Sequence, residues 1–156
     1  MTTRELAFIS FEQTDKKYKG FLAMEAALNN DREPEYLIQK AIEIYENSIN
    51  DMTSHIDEIN KCRNSRKHVS ARQIWQVGDE IFKLKDDLEN LGLQLDGVYD
   101  HLTRDLKVKQ KWLEKVIILR RYLPEIGLIP ETLNWGKLEK GTRRKTERLK
   151  LGLPPV

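Results

Sequence analysis

The chain has 156 residues, of which 33% are charged, 39% hydrophobic and 8% aromatic. That composition suits one domain of ordinary size, or one domain plus an arm, and excludes both a disordered chain and a membrane-embedded one. The formal charge is +2, and the single cysteine, Cys62, has no partner for an internal disulfide, so the expected home is the reducing cytoplasm.

In chain order, Thr2 and Glu5 form a capping-box pattern. Leu6, Ile9, Phe21, Leu22 and Leu28 then recur at helical intervals, which predicts a first helix ended by Asn29-Asn30-Asp31. Asp31 is placed to cap a second helix, with Pro34 tolerated in its first turn. That helix carries Ile38, Ile42, Tyr45, Ile49, Met52, Ile56 and Ile59, spaced alternately by four and three, a heptad seam. The seam can pair with a partner chain or pack on the first helix. The second option is preferred because a short loop joins the two.

Asn64 and Ser65 break this helix, and Ser70 can cap a third whose stripe is Ile74, Trp75, Val77, Ile81, Leu84, Leu88 and Leu91. Gly78 lies inside the stripe, where close approach by another helix is the usual reason to keep a glycine. Asn90 to Gly97 reads as a connector, with Asp96 capping a fourth helix that holds Val98, Tyr99, Leu102 and Leu106. A tight basic turn, Lys107 to Lys111, leads to a fifth helix carrying Trp112, Leu113, Val116, Ile117 and Leu119 and ending near Leu123-Pro124. Leu133, Trp135 and Leu138 suggest a short sixth helix closed by Gly141, and Thr142 to Leu151 a basic helical arm stopped by Gly152. No segment alternates with period two over strand length, so the fold class is all-α. Three parts are expected: a helical hairpin over 1–63, a helix-turn-helix-like domain over 70–140, and a basic arm over 141–156. The expected core is Ile74, Trp75, Ile81, Leu102, Leu106, Leu113, Val116, Ile117 and Trp135.

The near-neutral total conceals strong segregation of charge. Residues 1–60 are net −6, 61–72 net +5, 73–100 net −5 and 101–156 net +8. A basic block of this size suggests that one part of the chain meets a polyanion. Enzyme chemistry finds no support. His55, His68 and His101 lack zinc-ligand spacing, no Gly-rich phosphate loop precedes a helix, and Cys62 has no candidate base. No catalytic residue, metal or cofactor is expected. A membrane partner is not expected either, because the longest apolar runs are about four residues against about 20 for a span.

Residues 97–123 read as a helix, a basic turn and a second helix, similar to a helix-turn-helix arrangement. The second helix would bury Leu113, Val116, Ile117 and Leu119 and present Lys109, Lys111, Lys115 and Arg120 to phosphates or base edges. Downstream, Lys137, Lys140, Arg143, Arg144, Lys145, Arg148 and Lys150 crowd one stretch, opposed only by Glu139 and Glu147. Such density repels itself in solution and is relieved by phosphates. The candidate nucleic-acid-binding set is therefore Lys109, Lys111, Lys115, Arg120, Lys137, Lys140, Arg143, Arg144, Lys145 and Arg148.

A family pattern runs through the same region. Ile74-Trp75-Gln76-Val77-Gly78 looks like the W-x-I/V-G start of a helical domain that precedes the nuclease domain in a family of predicted bacterial nucleases of the PD-(D/E)xK type. Leu102-Thr103-Arg104-Asp105-Leu106 resembles its L-S-x-D-L element, Leu113, Val116 and Leu119 its L-x-x-M-x-x-F helix, and Leu133-Asn134-Trp135 its closing L-S-W. The resemblance covers residues 71–140, about half the chain, and implies a helical DNA-associated domain from a bacterial defence or mobile-element context. The stretch after residue 140 is short for a nuclease domain, so no cleavage is carried over. The expected function is non-enzymatic nucleic-acid binding, DNA ahead of RNA. The alternatives are a helical subunit of a larger nucleoprotein assembly, such as an RNA-guided effector complex, and an interaction module that meets a protein partner or second copy through residues 38–59.

Overall fold

A computed structural model describes residues 21–23 and 34–155. Among these described residues five helices carry the fold: α1 (Pro34–Asn64), α2 (Ala71–Asn90), α3 (Val98–Leu106), α4 (Gln110–Tyr122) and α5 (Thr142–Lys150). Two short strands, β1 (Phe21–Ala23) and β2 (Leu93–Leu95), form an antiparallel ribbon with Phe21 opposite Leu95 and Ala23 opposite Leu93. The class is all-α, with this one ribbon attached.

The long helix α1 has 31 residues, about 46 Å at the standard rise. Its seam faces the rest of the chain. Ile38, Tyr45, Met52, Ile56 and Ile59 are buried, while Ile42 and Ile49 are half-buried against the same core. The packing partner is chiefly α2, with α3 beside it. The expected first helix lies outside the described residues, apart from Phe21 and Leu22, which belong to β1 rather than to a helix. The apolar stripe of residues 38–59 is thus largely consumed within the chain.

Helix α2 begins as its sequence implies. The Ser70 side chain accepts from the Arg72 N–H, and the Gln73 side chain accepts from the Ser70 N–H, closing a capping box. The stripe from Ile74 to Leu88 is buried, and Leu91 is half-buried. Gly78 is buried where α4 crosses. A Cβ there would lie 2.7 Å from Arg120 Cβ and 3.0 Å from the Val116 carbonyl, so any side chain would push the two helices apart. Every expected core residue, from Ile74 to Trp135, is buried, and one continuous cluster runs from Leu37 to Leu149. It crosses both expected boundaries, at 63–70 and at 140–141.

Four local expectations differ from the structure. The Asn90–Gly97 connector contains β2, whose buried–exposed–buried pattern is too short to register as alternation. Gly97, in the left-handed region at φ 66°, and not Asp96, occupies the N-cap of α3. The sixth helix is only a 3-10 turn, Trp135–Lys137, because Leu133 is held by its neighbours. The Leu133 carbonyl accepts from the Ala71 N–H, and the Trp135 N–H donates to the Val69 carbonyl, so this stretch pairs with the loop before α2 and cannot wind. Finally, residues 142–150 are not a trailing arm. Helix α5 packs on α4 and buries Thr142, Thr146 and Leu149.

That docked face is unusually polar. The Thr142 hydroxyl donates to the Leu138 carbonyl at 2.7 Å, but the Thr146 hydroxyl is fully buried with no hydrogen-bond partner among the described residues. An unsatisfied buried hydroxyl costs about 1–3 kcal/mol. Thr146→Val keeps the shape and removes the orphan, so it is expected to raise stability by about 1 kcal/mol, read as a higher urea midpoint at unchanged m-value.

Candidate nucleic-acid interface

The ten cations expected to form one surface are sorted by α4 into two sides. At 3.6 residues per turn, Lys111, Lys115, Ile118 and Tyr122 fall on one stripe, and Lys109 and Arg120 fall about half a turn away. Helix α5 lies along the first stripe. Lys115 and Ile118 line a groove of about 550 Å³ together with Glu139, Gly141, Thr142, Arg143, Arg144 and Glu147. The Arg143 guanidinium sits 5.5 Å from the Tyr122 ring centroid and 3.7 Å from Glu147.

The start of α5 is electrostatically unusual. Its N-cap is Gly141, at φ 67°, with no side-chain cap. Its first turn contains Arg143 and Arg144 and no acid, and Lys145 follows at once. A helix N-terminus already carries partial positive charge, so carboxylates are favoured there and cations disfavoured by about 0.3–1 kcal/mol each. Uncapped N–H groups, two exposed guanidinium groups and the Lys115 ammonium therefore share one groove. Glu139 and Glu147 offset part of the charge. An anion at this position would relieve the repulsion and accept from the free N–H groups.

The remaining residues of the expected set divide as follows. Lys111, Lys137 and Lys140 are exposed. Lys145 and Arg148 are tied down, Lys145 Nζ donating to the Lys137 carbonyl and Arg148 Nε to the Pro154 carbonyl, each at 2.7 Å. Lys109 is the exposed N-cap of α4 and belongs to a different groove, with Arg63, Lys107 and Trp112.

Arg120 is a correction. The outer face of α4 was expected to include it, but its side chain is only 18% exposed. Nε donates to Asp79 Oδ1 at 3.0 Å, and the guanidinium lies 5.2 Å from the Trp75 ring and 4.7 Å from the Phe82 ring. The cause is Gly78. By letting α4 approach α2 closely, it delivers Arg120 onto the α2 surface, where a carboxylate and two aromatic faces receive it. Lys109 and Arg120 therefore do not share a face with Lys111 and Lys115.

The α3–α4 turn lacks a glycine, and Lys107 adopts the left-handed conformation (φ 56°) that a glycine would otherwise supply. Between α1 and α3, a polar network passed unread in the sequence. Tyr45 Oη donates to Asp105 Oδ2 at 2.5 Å, Arg104 Nε donates to Asp105 Oδ1 at 2.9 Å, and the Tyr45 and His101 rings meet edge to face. No spacing rule joins residues 60 positions apart. Only the hydroxyl on an apolar seam hinted at a buried partner.

The residues that carry the family resemblance have packing roles. The Trp75 indole donates to the Leu123 carbonyl at 2.6 Å, Gly78 admits α4, Asp105 ties α3 to α1, and Trp135 is buried. Among the described residues no group of histidine, cysteine and carboxylate side chains could hold a metal ion, and no helix is long and apolar enough to cross a membrane. Comparison of the chain with protein-family models, curated proteins and solved structures finds no match in any of the three.

Proposed function

We propose that this protein is a non-enzymatic nucleic-acid-binding protein, with DNA the favoured ligand, in the bacterial defence or mobile-element context that the resemblance implies. The observation that carries this reading is the uncapped, acid-free first turn of α5, where Arg143 and Arg144 share a groove with Lys115. Phosphate oxygens suit that groove: they accept from the first N–H groups of α5 and neutralise the two guanidinium groups. Lys111, Lys137 and Lys140 are exposed cations that extend the positive field. Arg120 has no part in it. No contact of this kind reads base identity, so the expected binding is sequence-tolerant and salt-sensitive.

The test is fluorescence anisotropy on a labelled duplex at several salt concentrations. Changing Arg143, Arg144 and Lys145 together to alanine is expected to weaken binding at least about tenfold at 50 mM salt and to flatten the log–log salt slope by about 2, with helicity retained. Unchanged affinity and slope would remove the α5 groove from the interface.

A second reading is favoured by one feature. Leu151 and Leu153 follow α5 directly and are 75% and 44% exposed. Apolar side chains beside a cationic helix suit a subunit that touches strand and protein neighbour together, as in a larger nucleoprotein assembly. Weak duplex binding by the isolated chain, sharply strengthened within a complex, would favour that reading.

A further inference from the structure

The second groove, on the opposite side of α4, has the makings of a nucleotide pocket. It lies between the C-terminal half of α1 and the α3–α4 turn and encloses about 640 Å³, within the range of about 300–1,000 Å³ typical of small-molecule sites. Ile56, Ile59, Leu106 and Val108 give it an apolar lining, and Trp112 lies among them. Arg63, Lys107 and Lys109 bring three cations to the same groove. None of the three has a carboxylate within 4 Å among the described residues. This distinguishes them from Arg120 and Arg143, which are paired.

Trp112 supplies a flat face beside these cations. Its ring is only partly buried and lines the groove, so an aromatic surface is open to a ligand there. A partly exposed indole ring beside an apolar wall, three unpaired cations and the exposed Asp57 carboxylate suit a ligand that has a flat apolar part, a hydrogen-bond donor and negative charge. Inorganic phosphate lacks the first and an aliphatic acid lacks the planar surface. A nucleotide has all three. Its base would lie against Trp112 and the apolar lining, and its phosphate would meet Arg63, Lys107 and Lys109. Asp57, exposed in the same groove and free of any ion pair, can accept from a base amino group. Asp105 is engaged by Tyr45 and Arg104 and stays structural.

We infer that the groove formed by Arg63, Lys107, Lys109 and Trp112 binds a nucleotide, with its base on the indole and its phosphate on the cations. The ligand is either a free mononucleotide or one unstacked nucleotide of a single strand. The inference does not depend on duplex binding at α5; only its single-strand form draws on the nucleic-acid reading.

The experiment follows the three indole N–H resonances of the intact protein by heteronuclear NMR, with Trp112→Phe assigning the relevant signal. The probes are inorganic phosphate, 5′-AMP, a phosphotyrosine peptide and a ten-residue single-stranded deoxyoligonucleotide. A shift of the Trp112 signal with AMP and the oligonucleotide, absent with phosphate, is expected. A shift with the oligonucleotide alone assigns the pocket to a nucleotide within a strand. Arg63→Gln with Lys109→Gln, which leaves the core untouched, is expected to weaken the response about tenfold. Arg143→Ala with Arg144→Ala should leave the AMP response unchanged while weakening duplex binding, which separates this proposal from the one above. A Trp112 signal unmoved by both AMP and oligonucleotide, or moved as strongly by the phosphopeptide, overturns it.

Discussion

Replacing Trp135 by alanine is expected to lower the unfolding free energy by about 3–5 kcal/mol, the range for deleting a large buried aromatic side chain. Trp135 is 1% exposed and is the largest fully buried side chain. Its backbone is fixed independently of its ring. The N–H donates to Val69, and the carbonyl accepts from Leu138 and Glu139, so the surroundings have little freedom to collapse into the void. Equilibrium urea unfolding measures the loss. A comparison with Trp75 sharpens the test. The Trp135 indole N–H has no partner among the described residues, whereas the Trp75 indole N–H is bonded to Leu123. Trp135→Phe sheds an unsatisfied donor together with some volume. Trp75→Phe sheds volume and also strips the Leu123 carbonyl of its donor, at an extra cost of about 1 kcal/mol. Trp75→Phe is therefore expected to be the more damaging of the two conservative changes, and the reverse order would mean that the Trp135 donor is satisfied in solution.

Arg120→Ala is expected to cost about 2–3 kcal/mol in stability and to leave nucleic-acid affinity unchanged. Three losses combine: the hydrogen-bonded ion pair with Asp79, the guanidinium contacts with Trp75 and Phe82, and the packing of the arginine stem against Gly78. The pair is 18% and 23% exposed, so its share is smaller than for a fully buried pair. Asp79 also keeps Lys83 at 3.6 Å, which softens the effect of losing Arg120. A double-mutant cycle with Asp79→Ala isolates the pair, and a coupling near zero would contradict the geometry. The two readouts together decide which kind of residue Arg120 is. A surface cation of the binding face would show loss of affinity with normal stability.

What could be read from the residues depended on whether a local rule applied. The α2 stripe, its Ser70 cap and the close approach at Gly78 follow from 3.6-residue periodicity, side-chain capping and the absence of a Cβ, and all three were legible, whereas the Gln73 half of the capping box was not read. The core from Ile74 to Trp135 followed from the same periodicity. Arg120 was misplaced because a long cation at the edge of an apolar stripe looks solvent-facing until the partner carboxylate, 41 positions earlier, is known. Helix α5 looked like a free arm because two of the three residues on its buried face, Thr142 and Thr146, carry no hydrophobic signature and leave Leu149 as a lone apolar position. Lys107 hid a left-handed turn, since the sequence cue for that conformation is glycine. The groove around Trp112 was invisible for a different reason. Arg63, Lys109 and Trp112 are each ordinary in sequence, and only the folding of α1 against the α3–α4 turn brings them together.

The pairing of residues 69–71 with 133–135, reinforced by the Ser70–Asn134 bridge and by the Arg72 side chain donating to the Ile129 carbonyl, governs how the molecule comes apart. Segments more than sixty positions distant are stitched directly beside the first turn of α2. Fraying of the C-terminal third therefore removes contacts that hold the middle of the chain, and melting should be a single concerted event. A protease nick in the exposed 65–68 stretch would leave this pairing whole inside the C-terminal fragment, and the α1 fragment would stay bound through its buried seam until denaturant releases it.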